Sequence, residues 1–264
     1  MIAVENLSVV FNRGSPLERR ALRDLSLMVG EGEFCSLIGS NGAGKSTLLS
    51  AIAGDVAPQA GRVTLAGRDV TTWPAEKRAA LVARVFQDPL AGSCAGLTIA
   101  ENLALAARRG HSRFLRPALG RDQLTSIFNR VAELDLGLER RLGQPMGSLS
   151  GGQRQALALV MATLAPSSVV LLDEHTAALD PANAEFVLAL TTQLARRFKL
   201  TVLMVTHSMR QALDLGTRTV MLHEGQVIFD VAGAARAALG VDDLVARFRQ
   251  ARGQELSEDR LLAG

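Results

Sequence analysis

The sequence is poor in the side chains that build several common kinds of site. It contains no tyrosine, one tryptophan and two cysteines among 264 residues. The scarcity of aromatics argues against a nucleic-acid partner, because such binding faces stack bases on interleaved aromatic rings. Cys35 and Cys94 lack the paired spacing of a metal or redox motif, so we expect two free, reduced thiols.

Long apolar runs are missing too. Runs such as residues 156–166 are shorter than a helix that crosses a bilayer. The first residues lack the charged and apolar segments of a secretory signal, which favours a cytoplasmic location. Because 48% of the residues are hydrophobic, we expect a globular chain rather than a disordered one.

Lysine is scarce, and one of the three lysines is Lys45. The net charge of +3 depends mainly on arginine, and five arginines gather between residues 108 and 121. These are Arg108, Arg109, Arg113, Arg116 and Arg121. The run could face anionic lipid or nucleic acid, but we favour a solvated helical surface.

The chain is organised around a glycine-rich segment with the pattern G-x-x-x-x-G-K-S. Its residues are Gly39, Ser40, Asn41, Gly42, Ala43, Gly44, Lys45, Ser46 and Thr47. A predicted strand at residues 34–38 precedes it, and a predicted helix at residues 48–53 follows. In that context the pattern indicates a phosphate-binding loop, because glycines let backbone N–H groups approach phosphate oxygens at a helix N-terminus. We expect Lys45 to reach the β- and γ-phosphates and Ser46 to ligate Mg²⁺.

A second glycine-containing helix start occurs far along the chain, at Leu149-Ser150-Gly151-Gly152-Gln153. It precedes a predicted helix at residues 154–164 and would form another anion-binding N-terminus. Taken alone, a serine N-cap followed by a glycine turn would explain these residues. Two phosphate-binding elements in one chain are explained if both bind the same nucleotide, or if two copies of the chain together form the binding site.

Two carboxylates end an apolar predicted strand at residues 168–174. Since consecutive strand residues point in opposite directions, we expect Asp173 and Glu174 to have different roles. Asp173 would hold Mg²⁺ beside Ser46, and Glu174 would orient or deprotonate the attacking water. A solvated turn would not explain carboxylates at the end of a wholly apolar strand.

Other polar residues also follow predicted strands. Gln87 ends the segment at residues 81–89, and His207 ends the one at residues 200–207. A lone histidine is more often structural, but its place after the strand that follows Asp173 favours a γ-phosphate contact. Phe11 ends the first strand and could stack on the adenine or simply pack in the core; the residues alone favour neither.

The element pattern predicts an α/β fold with a P-loop NTPase core and a mainly parallel sheet. Short strands at residues 2–11, 22–29 and 61–67 predict an antiparallel β layer beside it, and residues 219–230 predict a hairpin. We expect an inserted α-helical subdomain at residues 89–153 between core segments 1–88 and 154–231, with a capping box at Thr98 and Glu101. A C-terminal helical tail, 232–264, could pack on the core, touch a second copy or regulate.

In type, order and spacing these motifs resemble those of the nucleotide-binding subunit of an ABC transporter, over residues 2–231. The matching residues are the phosphate loop, Gln87, the sequence Leu149 to Gln153, Asp173 with Glu174, the turn Ala178 to Asp180, and His207. The sequence Asp-Glu-His-Thr-Ala-Ala-Leu-Asp at 173–180, the arginine-rich insertion and residues 161–166 are similar to a branch of uptake ATPases. That branch works with a substrate-binding lipoprotein, in some members for tryptophan or tyrosine.

The resemblance implies a head-to-tail homodimer that binds ATP and Mg²⁺. Each nucleotide would lie between the phosphate loop of one copy and the Ser150-Gly151-Gly152 turn of the other. Gln153 and Asp180 would be further nucleotide contacts, and Phe11 falls where the adenine-stacking aromatic of the family lies. Gln87 would contact Mg²⁺ or the lytic water. Hydrolysis at Glu174, with His207 sensing the γ-phosphate, would reopen the dimer.

By the same resemblance, the partners are transmembrane permease subunits and, through them, an extracytoplasmic substrate-binding protein. The chain would lie peripherally on the cytoplasmic face of the inner membrane. Import, of an amino acid in some relatives, is the direction that the branch implies. An export ATPase shares the same catalytic residues and stays open. A soluble ABC ATPase acting on nucleic acid or ribosomes is disfavoured, because the chain has one cassette and only a short insertion.

The chain departs from the family pattern just after the catalytic glutamate. Many members have proline and serine where this sequence has His175 and Ala177. Neither position is expected to touch the reacting phosphate, so we expect the activity to be retained.

Overall fold

The computed structural model describes residues 1–110, 120–165 and 167–250. Arg113 and Arg116 of the arginine-rich run, Pro166 and the end of the tail from residue 251 lie outside the described residues. Among the described residues, no helix combines the length and apolar character needed to cross a membrane.

The described residues form ten strands and eight α-helices with named bounds. The strands are β1 (Ile2–Phe11), β2 (Arg19–Val29), β3 (Phe34–Gly39), β4 (Ala60–Leu65), β5 (Arg68–Asp69), β6 (Val82–Val85), β7 (Val169–Asp173), β8 (Thr201–Val205), β9 (Arg218–His223) and β10 (Gln226–Ala232). The helices are α1 (Lys45–Ala53), α2 (Ala75–Arg78), α3 (Ile99–Ala107), α4 (Arg121–Ala132), α5 (Gly151–Leu164), α6 (Pro181–Arg197), α7 (Met209–Asp214) and α8 (Gly233–Ala237). Residues 241–250 are also helical, and we call them the C-terminal helix.

Two sheets make up the β structure. The first is antiparallel with strand order β2-β1-β4-β5, and the second has the order β10-β9-β3-β8-β7-β6. In the second sheet all neighbours from β9 to β6 are parallel, and β10 joins β9 as an antiparallel hairpin. Glu224 and Gly225 turn the hairpin with φ of 43° and 80°, as a two-residue turn of this kind requires. The predicted α/β architecture with an antiparallel layer and a helical insertion is confirmed.

Both faces of the parallel sheet are buried, because its strands alternate between two cores. Leu171 packs against the antiparallel sheet and α1, and Leu172 packs against α3, α5 and α6 on the opposite face. Cys35, in the first core, is a free thiol, and burial raises its pKa to about 12. Cys94 is free and exposed.

Parallel strands place their carboxyl ends along one edge of the sheet. The end of β3 leads into the phosphate loop, the end of β7 is Asp173, and His207 follows the end of β8. Since β3 pairs with β8 and β8 with β7, these three ends are neighbours in space. The topology therefore gathers residues that are far apart in sequence at a single site.

Arg78, at the end of α2, is a buried cation that holds α1 at its carboxyl end. It is 1% exposed, and its guanidinium donates to the carbonyl oxygens of Ala51 at 2.6 Å and Ile52 at 3.0 Å. Two further bonds reach the carbonyl oxygens of Trp73 and Thr71. A cation at this end of a helix satisfies the last carbonyl groups and complements the helix dipole.

The helical insertion begins with the predicted capping box. The Thr98 hydroxyl accepts from the Glu101 N–H at 3.2 Å, and the Glu101 carboxylate accepts from the Thr98 N–H at 2.7 Å. Helix α5 starts at Gly151, three residues before the predicted start at Arg154. The reason is that Ser150 caps the helix, so that Gly151, Gly152 and Gln153 form its first turn.

The described part of the tail packs on the core. Leu244 of the C-terminal helix is fully buried in a third cluster with Ile38 and Met221. Arg236 of α8 is 8% exposed and donates to the carbonyl oxygens of Ala212 at 2.7 Å and Leu215 at 2.6 Å. The tail is thereby fixed to β3, β9 and α7.

Candidate functional site

The phosphate loop has a backbone that only glycine can adopt at two points. Gly39 has φ of 154°, and a Cβ there would collide with the carbonyl oxygen of Leu222. Gly44 has φ of 100°, and a Cβ there would lie 2.5 Å from the carbonyl oxygen of Ala21. The two glycines let the loop lie directly against β9 and β2.

Lys45 is held over the loop from its first helical position. It is 5% exposed, and its Nζ donates to the carbonyl oxygens of Gly39 and Ser40, each at 2.8 Å. Burial lowers the pKa of Lys45, and the nearby carboxylates of Glu174 and Asp173 oppose that shift. A buried ammonium group beside a helix N-terminus is a strong site for an anion.

A cavity of about 230 Å³ opens beside the loop. Its walls include most of the loop together with Phe11, Arg19, Ala21, Glu174 and His207. Phe11 is 38% exposed, which leaves its ring accessible at this cavity. The sequence alone did not indicate Arg19, whose guanidinium donates to the Gly42 carbonyl oxygen at 3.1 Å. Its only signal was a basic residue close before the second predicted strand.

Asp173 lies beside Ser46 as predicted. The Ser46 hydroxyl is 3.5 Å from Oδ1 of Asp173, while Oδ2 accepts from Arg84 at 2.7 Å. Arg84 also donates to Asp55 at 2.8 Å. The side chains of Arg84 and Asp173 are 13% and 14% exposed, so this ion pair is largely buried. Arg84 was not among the predicted site residues, although a lone arginine within the apolar strand β6 was a usable signal.

These donors fit a magnesium ion. A hydroxyl and a carboxylate oxygen side by side are the hard ligands that Mg²⁺ selects, and Arg84 leaves Oδ1 of Asp173 facing Ser46. Within residues 1–110, 120–165 and 167–250, no cluster of three or more His, Cys, Asp or Glu side chains could hold a metal. The pair of Ser46 and Asp173 offers few protein ligands. Such a site suits Mg²⁺, because this ion keeps several waters and takes other ligands from phosphate.

The prediction that Glu174 belongs to the strand is wrong, because β7 ends at Asp173. Glu174 has φ of 49°, a left-handed value that breaks the alternation of strand side chains. Its N–H still donates to the Val205 carbonyl oxygen at 3.1 Å. Its Oε1 lies 2.5 Å from Nε2 of His207, and the carboxylate is 14% exposed. This left-handed backbone places the Glu174 side chain at the cavity, next to His207.

His175, the departure from the family pattern, lies inside the protein. It is 2% exposed, and its Nε2 is 3.0 Å from the Thr191 hydroxyl. That hydroxyl donates to the Val187 carbonyl oxygen, so the ring nitrogen must be the donor to Thr191. Burial lowers the pKa of His175 to about 4. His175 is thus a neutral core residue that does not reach the cavity.

The Ser150 turn does not line the cavity of its own chain. It packs instead against the turn that starts α6, where Asp180 accepts from the Asn183 N–H at 3.1 Å. A Cβ at Gly152 would lie 2.6 Å from Cγ of Asn183, so any larger residue there would have to displace the Asn183 side chain. Ser150 itself is exposed.

Gln87 is also exposed and does not line the phosphate-loop cavity. A larger groove of about 1220 Å³ lies between α2, β6, α3 and α5, and Phe86, the residue before Gln87, lines it. Gln155 of α5 is fully buried and donates from Nε2 to the Phe86 carbonyl oxygen at 3.1 Å. The residue before Gln87 is thereby bonded to the helix that begins at the Ser150 turn.

The arginine-rich run is not simply a solvated surface. Arg109 donates to the carbonyl oxygen of Ala162 at 3.0 Å and to the Ser167 hydroxyl at 2.9 Å. Burial lowers its pKa. At Arg109 the favoured interpretation is wrong, because the side chain joins α3 to the end of α5.

The fold and the phosphate loop define a P-loop ATPase. The family profile described as ABC transporter matches residues 22–177, more than half of the chain. This chain belongs to the ABC transporter ATP-binding family, and it is an ATPase of that family.

Relatives and solved structures agree with this assignment. The chain is 40% identical over 251 residues to the tyrosine transport ATP-binding protein of Clostridioides difficile (strain R20291), covering 95% of this chain and 100% of that protein. It is 36% identical over 202 residues to the thiamine import ATP-binding protein ThiQ of Escherichia coli (strain K12), covering 76% and 82%. A dimeric ATP-binding cassette bound to ADP and Pi in a post-hydrolysis state is 27% identical, with a TM-score of 0.75 over 88% of this chain and 98% of that one.

Proposed function

We propose that this chain is the ATP-hydrolysing subunit of an ABC importer and works as a head-to-tail homodimer. The observation that carries the proposal is the separation of two anion-binding elements. The phosphate loop lines the cavity, and the exposed Ser150 turn of the same chain is not among its lining residues. A second copy in the opposite orientation would bring its own Ser150 turn to this cavity and complete the site.

Four side chains at the cavity have chemical roles in this proposal: those of Phe11, Lys45, Glu174 and His207. Phe11 stacks on the adenine, and Lys45 with the loop N–H groups binds the phosphates. Glu174 orients the attacking water and takes its proton. His207 holds Glu174 in place and contacts the γ-phosphate, so that it links the carboxylate to the nucleotide.

In this proposal Ser46 and Asp173 would hold magnesium, and Gln87, which does not line the cavity in this structure, would join them in the ATP-bound dimer. When bound, the ion supplies positive charge that stabilises the phosphate oxygens. Arg84 fixes the carboxylate of Asp173 with one oxygen toward Ser46. From the second copy, Ser150, Gly151, Gly152 and Gln153 contact the same nucleotide, and Asp180 supports them.

The groove beside Gln87 is where we propose that a partner subunit binds. We assign residues 1–231 to the ATPase domain, with residues 89–153 as its helical subdomain, and we place a transmembrane permease subunit on the groove. The chain then lies peripherally on the cytoplasmic face of the membrane. The direction of transport is supported by relatives that are named for tyrosine transport and thiamine import. Because the tyrosine relative matches over its full length, we propose an amino acid as the cargo and an extracytoplasmic binding protein to deliver it.

Isolation of the native complex tests this proposal. The tagged chain is extracted from membranes in mild detergent, and every copurifying chain is identified by mass spectrometry. We expect a multi-span permease and a binding protein that binds an amino acid more tightly than thiamine in a calorimetric titration. A permease with no binding protein would favour export. Recovery with ribosomes or nucleic acid and no membrane chain would overturn the transport proposal.

A further inference from the structure

The tip of the β9-β10 hairpin supports the phosphate loop from behind. The Gly225 N–H donates to the Ala43 carbonyl oxygen at 3.0 Å. The Leu222 carbonyl oxygen lies so close to Gly39 that no Cβ fits between them. Nδ1 of His223 is 3.4 Å from the Ser40 hydroxyl, within hydrogen-bonding distance. Gly39, Ser40 and Ala43 of the loop thus all contact this hairpin.

His223 is in turn held by the C-terminal helix. Its side chain is buried, and its ring meets the ring of Phe248 edge to face, with centroids 5.8 Å apart and planes at 71°. Edge-to-face contacts of this kind favour one orientation of both rings. The orientation of the His223 ring determines whether Nδ1 can reach Ser40.

Phe248 is in a fixed position because its helix is anchored one turn earlier. Leu244, four residues before Phe248, is fully buried against Ile38 and Met221. Residues four apart lie on the same face of a helix, so Phe248 faces the core as Leu244 does. Ile38 immediately precedes the phosphate loop. The C-terminal helix therefore contacts Ile38 through Leu244 and His223 through Phe248, and both of these residues adjoin the loop.

We propose that His223 is a positioning residue for the phosphate loop, and that Phe248 of the C-terminal helix sets the affinity for ATP by orienting it. A loop that is already in its binding conformation spends no free energy on ordering when ATP arrives. If only a fraction of the loops is competent, the apparent dissociation constant rises by the inverse of that fraction. Glu174 and His207 are not part of this chain of contacts. The effect therefore falls on ATP affinity and KM, and kcat stays nearly constant.

The test measures ATP affinity by fluorescent-nucleotide titration, and kcat and KM by steady-state ATPase assay, on the full-length protein. For Phe248→Ala we expect Kd and KM to rise roughly 3–10-fold, the size of effect of one neutral hydrogen bond. The change in kcat should stay below about 2-fold, since the reacting groups are untouched. Arg249→Ala, an exposed change on the same helix, is the matched control and should leave all three values unchanged.

A double-mutant cycle separates positioning from general loosening. In a Ser40→Ala background, Phe248→Ala should have little further effect, because the contact that it serves is already gone. Additive effects of the two changes would overturn the proposal, as would an unchanged Kd in folded Phe248→Ala protein. If Phe248→Ala fails to fold, His223 gives a second test. His223→Asn keeps a hydrogen-bonding group and should retain ATP affinity, whereas His223→Leu should raise Kd roughly 3–10-fold. Equal affinities in these two variants would also overturn the proposal.

Discussion

Nε2 of His207 lies 2.5 Å from Oε1 of Glu174, so the two residues that follow β8 and β7 form one unit at the cavity. The left-handed backbone of Glu174 brings its carboxylate to the histidine. A carboxylate fixed in this way is oriented before a substrate binds, which reduces the cost of forming the reactive arrangement.

Removal of the charge from Glu174 should separate ATP binding from hydrolysis. In Glu174→Gln the shape of the side chain is kept, but the amide cannot accept a proton from water. We expect turnover to fall about 10²–10⁴-fold, the usual contribution of a general base. ATP binding should persist, and gel filtration with ATP and Mg²⁺ should show a dimer. Glu31→Gln, an exposed change in a turn, should keep wild-type turnover. A Glu174→Gln protein that elutes only as a monomer would count against the dimer proposal.

Loss of the Lys45 ammonium should instead weaken ATP binding itself. Lys45→Ala removes the buried cation and leaves the carbonyl oxygens of Gly39 and Ser40 without their donor. Since charge-assisted hydrogen bonds contribute about 1.5–3 kcal/mol, Kd should rise about 10–100-fold in a nucleotide titration. The control is Lys199→Asn, because asparagine tolerates the φ of 48° at that exposed position. An unchanged Kd for Lys45→Ala would refute its role.

Removal of Arg84 should lower the free energy of unfolding. Arg84→Met leaves the carboxylate of Asp173 largely buried without its partner, at a cost of about 3–5 kcal/mol. Arg62→Met breaks an exposed pair with Asp69 and should cost about 1 kcal/mol or less. Urea unfolding at pH 7 measures both. Adding Asp173→Asn to Arg84→Met should recover part of the loss, and a double variant no more stable than the single one would contradict this explanation.

The buried neutral His175 should make the protein less stable in mild acid. Its pKa is about 4 in the folded protein and near 6.5 when unfolded. As the pH falls below about 6.5, the unfolded chain takes up a proton that the folded one does not, so unfolding is favoured. Between pH 7.5 and pH 5 this histidine should account for a loss of about 2 kcal/mol. In His175→Gln, urea unfolding should depend less on pH over that range. Identical pH dependence in both proteins would show that His175 already titrates normally.

Local patterns predicted the phosphate loop and the ends of the parallel strands well. The order of strand, glycine-rich turn and helix lies within twenty residues, and its backbone is determined by Gly39 and Gly44. Parallel pairing then brings Asp173 and His207 to the same edge, whatever their separation in sequence.

Contacts between distant segments could not be predicted in the same way. Nothing near Arg84 in sequence indicates that it will meet Asp173, which is 89 residues away. The alternation of strand side chains applies only while the strand continues, and it fails at Glu174. The arginine-rich run shows a charge excess, but not that Arg109 is directed inward to Ala162.

Arg78 has a consequence for the helix that follows the phosphate loop. It binds the last carbonyl groups of α1, and the first N–H groups of the same helix belong to the phosphate loop. A helix that is held at both ends should stay in place when ATP binds. Amide hydrogen exchange at the carboxyl end of α1, which Arg78 holds, should therefore be equally slow with and without ATP, while exchange after Phe86 changes. Faster exchange at that end of α1 without ATP would show that Arg78 does not hold the helix in place.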